Sequence, residues 1–186
     1  MKTLIIIPSR LSATRLPGKP LLKINGLSII SHVFKKAVKA EIGEVYVATE
    51  DKEIIDDVNN NGGRAILTSN KHKTGTDRIH EALDKIGNSD IELVMNLQGD
   101  EPLMNVEDIR KLHDQMVKSK SRLGTLASKI INKSLYDKQN IVKVITKENL
   151  ETSKFPEAIN FMRKATNTEQ NVYHHLGIYC YQIETL

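Results

Sequence analysis

Leu4-Ile-Ile-Ile-Pro8-Ser-Arg10-Leu-Ser-Ala-Thr14-Arg15-Leu-Pro-Gly18-Lys19-Pro20 begins as an apolar run, breaks at Pro8 and then carries cations at Arg10, Arg15 and Lys19. A short apolar run bounded by a proline reads as a buried strand, so the basic segment is the loop that leaves its carboxyl end. Small residues there let backbone N–H groups approach anionic oxygens, and arginine adds planar paired donors. The loop is a candidate phosphate grip. A solvated basic turn after an edge strand fits the same residues, and the remainder of the chain has to decide between them.

Working outward, strand-like and helix-like segments alternate. Asn25-Gly26 is a tight-turn signal between Leu21–Ile24 and Leu27. Ile29, Ile30, Val33, Phe34, Ala37 and Val38 share one helical face behind a Ser28 cap. Val45–Ala48 reads as a strand, Asp51 as the cap of a helix carrying Ile54, Ile55 and Val58, and Ala65–Leu67 as a third strand. Thr76 is placed to cap a helix bearing Ile79, Ala82, Leu83 and Ile86. Ile91–Leu97 is the most strand-like run, and Asn105 caps a helix with Ile109, Leu112 and Met116. Leu126–Ile131, Ile141–Ile145, Ala158–Met162 and Leu176–Tyr181 make the second half rich in strands.

Such alternation predicts a parallel sheet with helices on both faces. Ligands bind beyond the carboxyl ends of strands in sheets of that kind. Residues 8–20 and 98–102 both leave strands at those ends, which favours a site over a bare basic turn.

At 186 residues with 39% hydrophobic and 27% charged content, the chain is long and apolar enough for one globular domain. The balance of 27 Lys+Arg against 23 Asp+Glu leaves +4, spread along the chain, and aromatics are only 4% with no Trp. A single-strand nucleic-acid platform would set stacking rings among its cations, which argues against one, and a small anionic ligand fits the charge equally well. Cys180 stands alone, which excludes an intrachain disulfide and a multi-cysteine zinc site and suits a reducing compartment. The opening apolar run is too short for a signal-peptide core, and no stretch reaches membrane-spanning length. The expectation is a cytoplasmic protein without nucleic-acid or membrane partners.

Three further constellations carry chemistry. Gln98-Gly-Asp-Glu-Pro102 follows the apolar strand, and Asp100 there can hold a hard divalent cation that keeps waters and bridges to phosphates. A polar turn whose Asp caps local N–H groups is the alternative. Thr74-Gly-Thr-Asp-Arg78 is a loop-to-helix junction able to take a base or ribose, or an ordinary capped helix start. Adjacent His174 and His175 point to opposite faces of a strand and make a poor metal pair. One of them can share a face with Tyr179 and address a polar substrate, or serve as a core-edge histidine. Gly18-Lys19 lacks the spacing and the following Ser/Thr of a Walker A loop, and no G-x-G-x-x-G follows the first strand.

Taken together, IIIPSRLSATRLPGKPL, TGTDR, NLQGDEPL and HHLGIYCY resemble the 3-deoxy-manno-octulosonate (KDO) cytidylyltransferases, in order and spacing across nearly the whole chain. The sialic-acid cytidylyltransferases share the general fold and the basic first loop. The resemblance implies a Rossmann-like nucleotidyltransferase fold, a mixed but mostly parallel sheet with helices on both faces. It implies that CTP and KDO give CMP-KDO and pyrophosphate with Mg²⁺ for lipopolysaccharide biosynthesis, by in-line attack of the sugar's anomeric hydroxyl on the α-phosphate. It implies that Arg10, Arg15 and Lys19 hold the triphosphate, Asp100 the Mg²⁺, and Gln98 the nucleotide. Thr74, Gly75 and Arg78 would lie near cytosine and ribose, His175 and Tyr179 would meet the sugar acid, and Arg163 its carboxylate. A homodimer is implied as well.

The match departs at Met162, where a serine is usual, and at Thr166-Asn167, where Ile-Pro is usual. The family continues past the Gly-Ile-Tyr strand into a helix and a segment bearing a second metal-ligating aspartate. The expectation is therefore a single domain over 1–186, shortened at its C-terminus relative to the family. A non-catalytic CTP-binding remnant, or CMP transfer to a related sugar acid, are the alternatives.

Overall fold

The computed structural model describes residues 1–12, 16–87, 90–165 and 169–186. The chain falls into two compact units, Met1–Gly124 with Ile178–Leu186, and Thr125–Gly177.

In the first unit, β1 (Thr3–Ser9) is followed by a small hairpin, β2 (Lys23–Ile24) and β3 (Leu27–Ser28), and by α1 (Ile29–Lys39). Then come β4 (Glu44–Thr49), α2 (Lys52–Asn60), β5 (Ala65–Leu67), α3 (Gly75–Ile86), β6 (Leu93–Leu97) and α4 (Val106–Ser119). The strands stand in the order β5-β4-β1-β6, all parallel, with Ile6 of β1 beside both Tyr46 and Asn96. The apolar run of β1 is central, and Leu4 to Ile7 are all 2% exposed or less, as a strand covered on both faces requires. Leu4 and Ile6 pack with Ile79 and Ala82 of α3. Alternation turns Ile5 and Ile7 to the opposite face, the side left for α1 and α2.

The last strand, β10 (Val172–Gln182), closes this sheet antiparallel to β6, with Tyr179 beside Asn96 and Cys180 beside Met95. The sheet is thus mixed and mostly parallel in this unit, in keeping with the expected class. Ser28 caps α1 by accepting from the Ser31 N–H at 3.2 Å, as its position predicts.

The second unit contains most of β7 (Leu123–Lys129), then β8 (Lys143–Thr146), β9 (Ala158–Met162) and the first half of β10. Here β8 lies between β10 and β9, antiparallel to both. No helix among the described residues is long and apolar enough to cross a membrane.

Candidate active site

In the first unit the carboxyl ends of β1 and β6 open into a cleft of about 310 Å³, within the size range of small-ligand sites. Arg10, Lys19, Thr74, Gly75, Arg78, Gln98 and Asp100 all line it, so seven of the residues singled out in the sequence meet in one place. Arg15 lies outside the described residues, as do Thr166 and Asn167.

The basic loop is fastened at both ends. Leu11 N donates to Asp51 Oδ2 at 2.7 Å, and Gly18 N to Leu11 O at 3.0 Å. Asp51 makes no side-chain bond to the helix it precedes. Its carboxylate is spent on the loop instead. Gly18 adopts φ 71°, a left-handed conformation that glycine takes without strain, and Lys19–Leu21 then winds into one 3-10 turn on the buried Pro20. Lys19 Nζ thereby reaches Asp100 Oδ2 at 2.8 Å.

Asp100 is placed by the glycine before it. A Cβ on Gly99 would sit 3.1 Å from both Pro8 O and Ile30 Cδ1, so a larger residue would push the turn away from the end of β1. Beneath the turn, buried Asn96 accepts from Gln98 Nε2 at 3.5 Å. Asn96 and Thr76 also hydrogen-bond the Tyr181 hydroxyl, while burial raises the pKa of that phenol.

The wall opposite is the amino end of α3. Its cap is Thr74 and not Thr76: Thr74 Oγ1 accepts from Asp77 N at 3.1 Å, and Asp77 Oδ2 accepts from Thr74 N at 3.2 Å. The Thr74 hydroxyl first, and then the Thr74 N–H, hold the Asp77 carboxyl below its usual range. The helix therefore presents Thr74 and Gly75 to the cleft at its positive end, where anions are favoured.

Arg78 is only 3% exposed. Its guanidinium pairs with Glu50 and donates to Thr68 Oγ1 at 2.5 Å and Ser69 O at 3.3 Å. It pins the loop after β5 to the end of β4, and so shapes the cleft from behind. His72, a lining residue that carries no sequence signature of its own, is paired with Glu81.

Glu81 also takes Lys85 Nζ at 2.8 Å and Ser69 N at 2.8 Å. Lys85 first, then His72 and the Ser69 N–H, hold its carboxyl down at about 2 against an ordinary 4.5. A carboxylate more acidic in the folded than in the unfolded chain stabilises the fold above the unfolded value. That contribution is lost as pH falls from about 4.5 toward 2. Urea midpoints across that range should fall less steeply for Glu81→Gln than for the natural chain. Parallel curves would show that Glu81 carries none of the acid sensitivity.

Tyr179 lies in the first unit, stacked on Tyr181 with ring centroids 6.0 Å apart, and burial raises its pKa. His175 and Arg163 lie in the second unit. His175 is buried, shares a 2.9 Å hydrogen bond between Nε2 and Thr125 Oγ1, and meets the Phe161 ring edge-on at 5.0 Å. Burial, and then His174 beside it, lower its pKa, so the ring is uncharged at neutral pH. Arg163 is exposed and donates from Nη1 to Gln139 O at 2.9 Å.

Among the described residues no three His, Cys, Asp or Glu side chains form a metal cluster. Asp100 is the carboxylate that lines the cleft, and it already faces a cation there. One carboxylate completed by waters and substrate oxygens is the donor set Mg²⁺ takes beside phosphates, so Asp100 fits a shared metal and not an all-protein cage.

Comparison with known proteins gives one consistent picture. The cytidylyltransferase family profile matches residues 4–185. The 3-deoxy-manno-octulosonate cytidylyltransferase of Thermodesulfovibrio yellowstonii is 41% identical over 199 residues, spanning 100% of this chain and 77% of that one. The enzyme of the same name from Fusobacterium nucleatum is 40% identical over 184 residues, spanning 98% and 74%. Among solved structures, CMP:2-keto-3-deoxy-manno-octonic acid synthetase complexed with CTP superposes with a TM-score of 0.86 at 35% identity, covering 100% of this chain and 76% of that one.

Proposed function

The chain belongs to the cytidylyltransferase family, and from that premise we infer that it transfers CMP from CTP to 3-deoxy-manno-octulosonate and releases pyrophosphate. The observation that carries this reading is the cleft itself, where a cationic loop, a helix amino end and one carboxylate converge at two parallel strand ends. That charge pattern suits a polyphosphate. Relatives are named 3-deoxy-manno-octulosonate cytidylyltransferases, which supports this reading, and the product would serve lipopolysaccharide assembly.

In line with this, Arg10, Arg15 and Lys19 hold the triphosphate and the departing pyrophosphate. Gln98, Thr74 and Gly75 meet the nucleoside, while Arg78 keeps their loop in place. Tyr179 and His175 address the sugar acid, and Arg163 its carboxylate. Asp100, with oxygens of the substrate, would hold Mg²⁺, whose charge would offset that gathering on the phosphates. The anomeric hydroxyl attacks the α-phosphate as the bond to the β-phosphate breaks, with no covalent enzyme intermediate. Positioning and charge neutralisation then supply the rate.

The family resemblance supports a homodimer, and β9 suits the contact. It ends the strand order, and its Ile159 and Phe161 are 63% and 47% exposed. Sedimentation equilibrium should report two chains per particle, and a monomer would overturn this part. The lone, buried Cys180 accords with a cytoplasmic setting.

The deciding experiment is pyrophosphate release by the 186-residue chain supplied with CTP and Mg²⁺, with and without KDO. Release that requires KDO is the expected result. CTP binding with no release, or faster turnover of another sugar acid, would overturn the reading.

A further inference from the structure

We propose that Lys143 is the positioning residue for Arg163, fixing both the backbone of that arginine and the acceptor of its guanidinium. The proposal rests on the reading above, in which Arg163 meets the carboxylate of the sugar acid.

Lys143 sits in β8 and is 0% exposed, a rare condition for lysine. Among the described residues it makes no ion pair. Its ammonium instead donates to three backbone carbonyls, Lys138 O at 2.7 Å, Ile141 O at 3.0 Å and Arg163 O at 2.8 Å. Those bonds use all three donors of the group. Burial pushes its pKa down and Asp137 acts in the other direction, while acceptors on the charged form favour it.

Stability alone does not account for such a residue, because an apolar side chain of similar volume often serves a core as well as a buried charge. The three carbonyls are better explained by what they border. The sheet register pairs Lys143 with Met162, the last residue of β9, so Arg163 stands just past the end of that strand. The ammonium takes over there by holding Arg163 O. Its other two acceptors, Lys138 and Ile141, bracket Gln139, and Gln139 O is what Arg163 Nη1 bonds. One buried charge thus secures Arg163 at both ends. An exposed arginine otherwise has much rotamer freedom to lose on binding. Orienting it in advance lowers that cost.

The test is a double-mutant cycle on the full chain, measuring KM for KDO and for CTP separately. Lys143→Met should raise KM for KDO by roughly 10- to 100-fold, the scale of a misplaced binding group. KM for CTP and kcat at saturating KDO should stay near their natural values. Added to Arg163→Ala, the same change should cost less than about twofold more, since members of one network are not additive. Fully additive losses, or a parallel rise in KM for CTP, would overturn the proposal.

Two further readouts separate the ways it can fail. Arg163→Ala with an unchanged KM for KDO would overturn the sugar-acid assignment, whatever Lys143 does. The Nε–Hε order parameter of Arg163 reports positioning without substrate: it should fall in Lys143→Met, and an unchanged value would overturn positioning itself. Should Lys143→Met not fold, the slowest-exchanging lysine ammonium ¹⁵N signal of the natural chain decides. Saturating KDO should shift it, and a signal that does not move would count against the coupling.

Discussion

Asp100→Asn should lower kcat for KDO-dependent pyrophosphate release by roughly 10²–10³-fold, the loss that follows removal of one preorganised charge-stabilising group. Thermal stability should scarcely change. The Lys19–Asp100 pair is half open to solvent, with side chains 33% and 54% exposed. Exposed pairs of this kind contribute about 0–1 kcal/mol. Asparagine also keeps the shape of the turn that Gly99 seats against Pro8 and Ile30. What it removes is the negative charge that would hold Mg²⁺ and that engages Lys19 in the free cleft. Those two consequences pull binding in opposite directions. Catalysis would fall because Mg²⁺ would lose the carboxylate proposed to hold it, whereas metal-free CTP binding should hold steady or tighten because a like charge is gone and Lys19 is released. Calorimetry with CTP in chelator, beside the kinetic assay, reads both. A variant that keeps kcat would remove Asp100 from the chemistry. One that binds metal-free CTP less tightly would mean that the carboxylate supports the nucleotide directly.

Much of this cleft is legible in the chain because local rules govern its parts. An apolar run ended by Pro8 is a strand, Ser28 and Asn105 are caps, and two loops at strand ends mark a site. Errors arise where reciprocity or tertiary contact decides. Thr74 and Thr76 both suit a helix start, but only Thr74 stands three residues ahead of Asp77, which can return the bond. Asp51 has the look of a helix cap, yet the Leu11 N–H captures it. The strand read as Leu176–Tyr181 begins earlier, at Val172, where the Thr125 bond lets His175 be buried. Lys143, between Val142 and Val144, gives no sign of burial in the sequence, and the carbonyls of Lys138, Ile141 and Arg163 are what let it be buried. Periodicity reports a face, and it is silent on which strand lies next. The antiparallel seat of β10 beside β6, and with it the nearness of Tyr179 to Asn96, follows from no local pattern.

Arg78 is where placement bears most on interpretation. A cationic residue at the start of a helix beside a cleft lined with cations invites assignment as a ligand, and truncating a ligand raises KM while sparing the fold. The geometry predicts a different outcome. Arg78→Met should destabilise the chain by roughly 3–5 kcal/mol, the cost of breaking a buried ion pair from one side. For a chain of this size that is a drop of about 10 °C in melting temperature. The loss comes less from the missing arginine than from what it leaves behind. Glu50, 16% exposed, keeps a charge with no counter-ion, and Thr68 loses its donor. Adding Glu50→Gln should therefore restore part of the stability, because neutralising the stranded carboxylate removes the larger penalty. A ligand role predicts no such recovery. If Arg78→Met melts with the natural chain and only KM for CTP rises, the guanidinium turns to the nucleotide when CTP binds. If melting falls and the double variant regains it, Arg78 serves the site by holding the end of β4 against the loop after β5.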